Sequence, residues 1–240
     1  MFADRLRLIS EKIRAAVARS THGEKRNVQL VAVSKTHSPE SLLEAVDSGV
    51  TLFGENRVQE AKSKIPLLPS RCRWHFIGHL QKNKIRQALP LFELIHGVDS
   101  LSIAQDIDRI AAESGLFPKI LLEVNVAGEE TKFGFPPAML LSQIEELLKL
   151  PRLQIEGLMT IPPATKTPED SRKHFVSLRN LRDTLESEFS LKLPELSMGM
   201  SDDFEIAIEE GATLVRIGTA LFGERSGKTW RPPASDSLDE

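Results

Sequence analysis

This chain has eight short apolar runs, seven of them followed by a stretch with helical periodicity, and few architectures accept that pattern. The runs fall at residues 28–34, 51–53, 73–77, 94–96, 119–125, 153–158, 196–198 and 213–217. The first, Val28-Gln29-Leu30-Val31-Ala32-Val33-Ser34, is nearly continuous and rich in β-branched residues. That is how a strand buried on both faces reads. Ser38 followed by Pro39 offers an N-cap and a first helical proline. Further helices are predicted from near Glu55 and over 82–89, 102–114 (closed by Gly115), 137–149, 168–187 and 202–210. Strict β–α alternation predicts a parallel sheet. Eight units in 240 residues favour one α/β domain, a (β/α)8 TIM barrel over residues 1–230, above an open doubly wound sheet. An extra helix precedes it, because Leu6, Ile9, Ile13, Ala16 and Val17 recur at helical spacing within residues 1–20. Residues 21–27 and 161–168 are expected as loops, and 231–240 as a frayed tail.

Lysine and arginine number 31 against 34 acids, a net charge of −3, which does not suit a nucleic-acid coat or a membrane-surface protein. The single cysteine, Cys72, can close no internal disulfide, and nothing points to secretion. The first ten residues carry Asp4, Arg5 and Arg7 and no apolar signal core, and no apolar run has the length of a membrane span. The expected address is the cytoplasm.

In such a barrel the chemistry sits where the C-terminal ends of the strands meet their loops. Lys35 ends the first strand after mostly apolar residues. An ammonium there loses hydration and is freed as a nucleophile, unless it merely snorkels to solvent. Ser201 lies in Ser197-Met198-Gly199-Met200-Ser201, ahead of a predicted helix start, where exposed N–H groups form an anion site. Alone, Ser201 reads equally as an N-cap. Gly218 and Thr219 supply a second glycine turn with a hydroxyl. The loops after strands seven and eight of a barrel commonly bind phosphate. Arg216, inside an apolar strand, needs either a carboxylate such as Glu123 or a ligand atom. Asn56 lies just past the second strand. His75 and His79 lack the helical context of a metal clip, so no metal is expected. Arg71, Arg73, Lys82, Lys84 and Arg86 form a basic patch, read as a solvated face, with an RNA contact as the lesser alternative.

Taken together these segments are recognisable. Ala32-Val33-Ser34-Lys35, Phe53-Gly54-Glu55-Asn56-Arg57-Val58-Gln59-Glu60 and Trp74-His75-Phe76-Ile77-Gly78-His79-Leu80-Gln81-Lys82-Asn83-Lys84 come first. Gly157-Leu158-Met159-Thr160, Leu196 to Asp203 and Val215 to Gly223 follow in order. The chain resembles the YggS/PROSC family of pyridoxal phosphate homeostasis proteins, itself similar to the barrel domain of alanine racemase. The resemblance implies a pyridoxal 5′-phosphate (PLP) cofactor held as a Schiff base on Lys35. It also implies a phosphate cradle of Ser201, Gly218 and Thr219, with Arg216 facing the pyridine nitrogen and Asn56 beside the ring.

A cationic partner on the ring nitrogen weakens PLP as an electron sink. The chain contains no tyrosine to serve as a racemase's second base. The expected role is therefore binding and homeostasis of PLP, without a catalytic residue, with apo-forms of PLP enzymes as recipients and the monomer as the working state. The rival reading is a PLP enzyme on an unidentified amino acid, using Cys72 or His75 as its second base.

Overall fold

The computed structural model describes residues 1–22, 27–223 and 230. The expected tail at 231–240 and most of the loop expected at 21–27 lie outside them. Helix α1 (Phe2–Arg19) precedes the first strand and buries Phe2, Ile9 and Ala16, which are seven residues apart and so share one face. Eight strands then alternate with helices: β1 (Gln29–Val33), α2 (Pro39–Asp47), β2 (Leu52–Glu55), α3 (Val58–Lys64), β3 (Arg73–Phe76), α4 (Ile85–Ala88), β4 (Leu94–Val98) and α5 (Leu101–Ser114). The second half continues with β5 (Lys119–Glu123), α6 (Pro137–Leu148), β6 (Gln154–Met159), α7 (Arg172–Phe189), β7 (Glu195–Ser197), α8 (Phe204–Glu209), β8 (Leu214–Ile217) and a single turn, α9 (Thr219–Phe222). All neighbours pair in parallel and β8 closes on β1, so the barrel replaces the open-sheet alternative.

The boundaries follow local chemistry. Ser38 caps α2, Ser100 caps α5, and Gly115 ends α5 at φ 68°, where glycine is favoured. Four helix starts differ from the sequence reading. Strand β2 runs through Glu55, whose side chain is fully buried, and the helix begins at Val58. Helix α8 begins at Phe204, not Asp202, because Asp203 Oδ1 accepts the Met200 N–H at 2.7 Å and holds a turn first. Residues 82–89 open with a 3-10 turn (Lys82–Lys84), as α7 does (Pro168–Ser171).

Most of the core lies between strands and helices, around Phe53, Phe76, Ile107, Ile120, Ile144 and Phe175. Inside the barrel, Val31, Leu52, Leu94, Leu121, Met159 and Leu214 form a separate apolar cluster. A polar chain also occupies the interior. Arg216 Nη1 donates to Ser197 Oγ at 2.6 Å, Ser197 Oγ meets His96 Nδ1 at 2.9 Å, and His96 Nε2 meets His75 Nδ1 at 3.0 Å. Burial pushes the His75 pKa down to about 3 and that of His96 well below its ordinary value, so both rings are neutral.

Two outcomes are expected. A Cβ on Gly157 would lie 1.9 Å from the Glu195 carbonyl oxygen, so Gly157→Ala must part β6 from β7. It should cost about 1–3 kcal/mol in a urea unfolding curve. The second concerns pH. The unfolded chain protonates His75 and His96 below about pH 6.5, but the fold does not, so their contribution to stability is lost as pH falls from there towards 3. Burial raises Glu55 and Glu123 to about 7, so the fold keeps protons that the unfolded chain releases above about 4.5, and stability gains as pH falls from 7 to 4.5. The melting temperature should be nearly flat between these limits and drop below 4.5. Glu123→Gln removes one opposing group, so its decline should already begin near pH 6.5.

Candidate functional site

Parallel strands present their C-terminal ends at one rim, and there β1 stands between β8 and β2. Val31 pairs with Arg216 and Ala32 with Ile217, which brings Gly218 beside Val33. Val33 also pairs with Gly54, two residues before Asn56. Lys35, two residues beyond β1 and half-buried, therefore lies between Asn56 and the Gly218–Thr219 turn. Ser201 joins from the adjacent loop, its Oγ accepting the Ala220 N–H at 3.2 Å. The six residues expected from sequence thus come from four consecutive strands of the closed order β7, β8, β1, β2.

The Gly218–Thr219 turn is open to an anion. Ala220 has spent its N–H on Ser201, whereas those of Gly218 and Thr219 meet no acceptor among the described residues. Gly218 has φ −111°, and a Cβ there would make only ordinary contact with Val33, at 3.4 Å. The chain's own packing does not demand a glycine, so its bare backbone serves close approach from the mouth. Gly199, in contrast, is demanded: it has φ +90°, and a Cβ would stand 2.5 Å from Ala207 Cβ. Beside Ser201, residues 162–168 and 200–203 line a cavity of about 670 Å³.

Arg216 resolves differently from the carboxylate pairing weighed above. Its guanidinium donates to Ser197 Oγ and to the Thr160 carbonyl at 2.9 Å, and Glu123 acts on it as a nearby charge without a contact. Burial lowers its pKa to about 10, which still leaves it charged at neutral pH. A consistent donor order runs from Arg216 through the Ser197 O–H to His96 Nδ1, then from His96 Nε2–H to His75 Nδ1.

A charged cluster absent from the sequence reading adjoins Lys35. Lys64, fully buried, donates to the Ser34 carbonyl at 2.8 Å, to Glu55 Oε1 at 2.8 Å and to Glu60 Oε1 at 2.5 Å. Ser34 Oγ donates to Glu55 Oε1 at 2.7 Å, and the Thr36 N–H donates to Glu60 Oε1. Desolvation, against the pull of Lys64, raises the Glu55 carboxyl to about 7, and its Oε2 is buried without a partner among the described residues. Thr36 sits at φ 69°, a left-handed conformation costing a β-branched residue roughly 1–2 kcal/mol. In sequence, Glu60 and Lys64 look like any exposed i,i+4 pair, and only the fold reveals their burial.

The residues of the rival readings lie elsewhere. Cys72 precedes the start of β3, at the opposite end of the barrel from Lys35. His75 is in the interior, hydrogen-bonded to His96, while His79 is bonded to Asp99. Much of the basic patch is neutralised: Arg73 pairs with Glu93, Lys82 with Asp106 and Arg86 with Glu113. Among the described residues no helix is long and apolar enough to cross a membrane.

The family model of the alanine racemase N-terminal domain matches residues 6–226. The pyridoxal phosphate homeostasis protein of Aquifex aeolicus is 47% identical over 92% of this chain and 97% of its own length. That of Bos taurus is 38% identical over 95% and 90%. Among solved structures, PipY of Synechococcus elongatus with PLP bound is 40% identical, with TM-score 0.81 over 93% of this chain and all of PipY. An alanine racemase of Clostridium difficile, 19% identical with TM-score 0.70, shares the fold over only 57% of its length. The strand-end motifs, the closed barrel and these near full-length matches agree: the chain belongs to the family of pyridoxal phosphate homeostasis proteins, built on the alanine racemase N-terminal barrel.

Proposed function

We propose that this chain holds PLP on Lys35 and takes part in intracellular PLP homeostasis, with little or no catalysis of its own. The observation that carries the reading is the convergence on one rim of a strand-end lysine, two unpaired N–H groups at a glycine that packing does not require, and a buried guanidinium. Each suits one part of PLP. Lys35 would hold the aldehyde end of the cofactor through its amine, as a Schiff base formed with loss of water. The N–H groups of Gly218 and Thr219 and the Ser201 hydroxyl receive the phosphate, the chemistry P-loops and barrel loops share. Arg216 donates to the pyridine nitrogen, and Asn56 borders the ring.

The polarity of Arg216 supports a carrier. PLP, when bound, can act as an electron sink, most strongly with a protonated ring nitrogen. Arg216 has no acceptor to offer and cannot hold a proton on that nitrogen. The chain has no tyrosine, and Cys72 lies at the far end of the barrel, so neither supplies a second base opposite Lys35. The relatives' names as homeostasis proteins fit the same role. Delivery to apo-enzymes, a cytoplasmic address, the monomer and one barrel domain over residues 1–230 complete the proposal.

Two measurements test it. Purified protein with added PLP should show a visible absorption band that borohydride abolishes, leaving a pyridoxyl group on Lys35 by peptide mapping. Lys35→Ala should show neither, and amino-acid racemisation dependent on Lys35 would sink the non-catalytic part. Ser201→Ala removes one hydroxyl donor to the phosphate and should weaken PLP binding roughly tenfold, about 1.4 kcal/mol, by equilibrium dialysis. Unchanged affinity would place the phosphate elsewhere.

A further inference from the structure

Lys64, Glu55 and Glu60 have no part in the site just proposed, yet they hold the backbone on both sides of its lysine. Lys64 Nζ is bonded to the Ser34 carbonyl, and Ser34 Oγ is bonded to Glu55. Glu60 bridges Lys64 to the Thr36 N–H. Ser34 and Thr36 are the immediate neighbours of Lys35. Thr36 is one of only two non-glycine residues at positive φ among those described, the other being Ser190 at the end of α7. Ser190 sits at a helix C-terminus, where such a conformation is usual. Thr36 has no such excuse, and a strained residue persists only when its surroundings over-determine it.

A lysine buried to this degree is also a poor choice for stability alone, because apolar residues of similar size often replace a buried ion pair without loss. Its three acceptors comprise two carboxylates and one backbone carbonyl, and that carbonyl belongs to Ser34. The carboxylates come from the end of β2 and from α3, so the cluster ties the bend after β1 to the neighbouring βα unit.

We infer that Lys64, with Glu55 and Glu60, is a positioning device for Lys35: the buried cluster fixes the Ser34–Thr36 bend that aims the lysine into the barrel mouth. None of the three touches PLP in this scheme; they act through the backbone. The inference rests on Lys35 as the PLP-holding residue.

The test uses the full-length chain in four forms: wild type, Lys64→Met, Glu60→Gln, and Lys64→Met combined with Thr36→Gly. Without the clamp, threonine should leave the left-handed region and Lys35 should lose its aim. PLP should then leave Lys64→Met roughly tenfold faster than wild type, read from decay of the visible band after dilution. Glycine adopts the bend without a Cβ penalty. The double variant should therefore recover most of the wild-type rate, which a purely structural role of Lys64 would not allow. Glu60→Gln is the milder form should Lys64→Met fail to fold, with a smaller change in the same direction. Wild-type release from folded Lys64→Met, or no recovery in the folded double variant, overturns the inference. A wild-type chain that forms no band sinks the PLP reading instead. The clamp is then decided by hydrogen exchange of the Thr36 amide in PLP-free protein. That amide should be protected in wild type and exchange at least about tenfold faster in Lys64→Met or Glu60→Gln. Equal exchange would overturn the clamp as well.

Discussion

The pairing of β8 with β1 turns a series of βα units into a site. Four register pairs, from Gln29–Leu214 to Ala32–Ile217, join the two ends of the sheet. Before closure, Lys35 and Gly218 are separated by most of the chain; after it, Gly218 lies against Val33, two residues from the lysine. The N–H groups of the Gly218–Thr219 turn, without an acceptor among the described residues, then lie next to the loop that carries Lys35. Helix α1 reinforces the same seam from outside, because Arg5 donates to the Leu221 and Phe222 carbonyls just after β8. The ligand contacts proposed here therefore depend on barrel closure more than on any single motif.

Two buried cations flank that seam, and the chain treats them differently. Arg216 is surrounded by neutral acceptors, the Ser197 hydroxyl and the Thr160 carbonyl, with carboxylates only at a distance. Its charge is therefore not cancelled by contact, and it keeps its capacity to donate to a ligand acceptor. Lys64 is the opposite case: its ammonium is consumed by Glu55, Glu60 and the Ser34 carbonyl, leaving nothing to offer a ligand. The neutral histidines behind Ser197 belong to the first strategy. A protonated His96 beside Arg216 would add charge to an interior already carrying one, and burial prevents it.

The sequence displayed the barrel well, because the strands are apolar runs separated by stretches of helical periodicity, and Ser38-Pro39 marks the start of α2 directly. It misplaced the start of α3 because Glu55 is a charged residue at a buried strand end, which no periodicity rule favours. All six site residues expected from motifs come together at one rim, yet the role of each remains a matter of chemistry that position alone does not decide. The Lys64 cluster was illegible for a definite reason. Glu60 and Lys64 at i,i+4 spacing give the same pattern whether they face water or the packed end of β1. His96 and Ser197 were equally hidden, since a polar residue in a five- or three-residue strand does not announce that it faces the interior.

Geometry also bears on the proposal that this barrel carries PLP with little catalysis of its own. A racemase needs proton donors and acceptors on both faces of a substrate bound to the cofactor. Here several polar groups of the interior are engaged with one another: His75 with His96, and Ser197 with Arg216. His79, the histidine bonded to Asp99, stacks on Phe133 at 3.8 Å, and both belong to the loops after β3 and β5. Lys35 follows β1, two strands from β3 and four from β5 in the closed order. With the roles proposed above, one nucleophilic amine, an anion cradle and a donor that suppresses ring protonation would favour reversible attachment over carbanion chemistry. Attachment that can reverse is what a carrier of a reactive aldehyde requires, and the proposed arrangement would serve a reservoir better than a racemase.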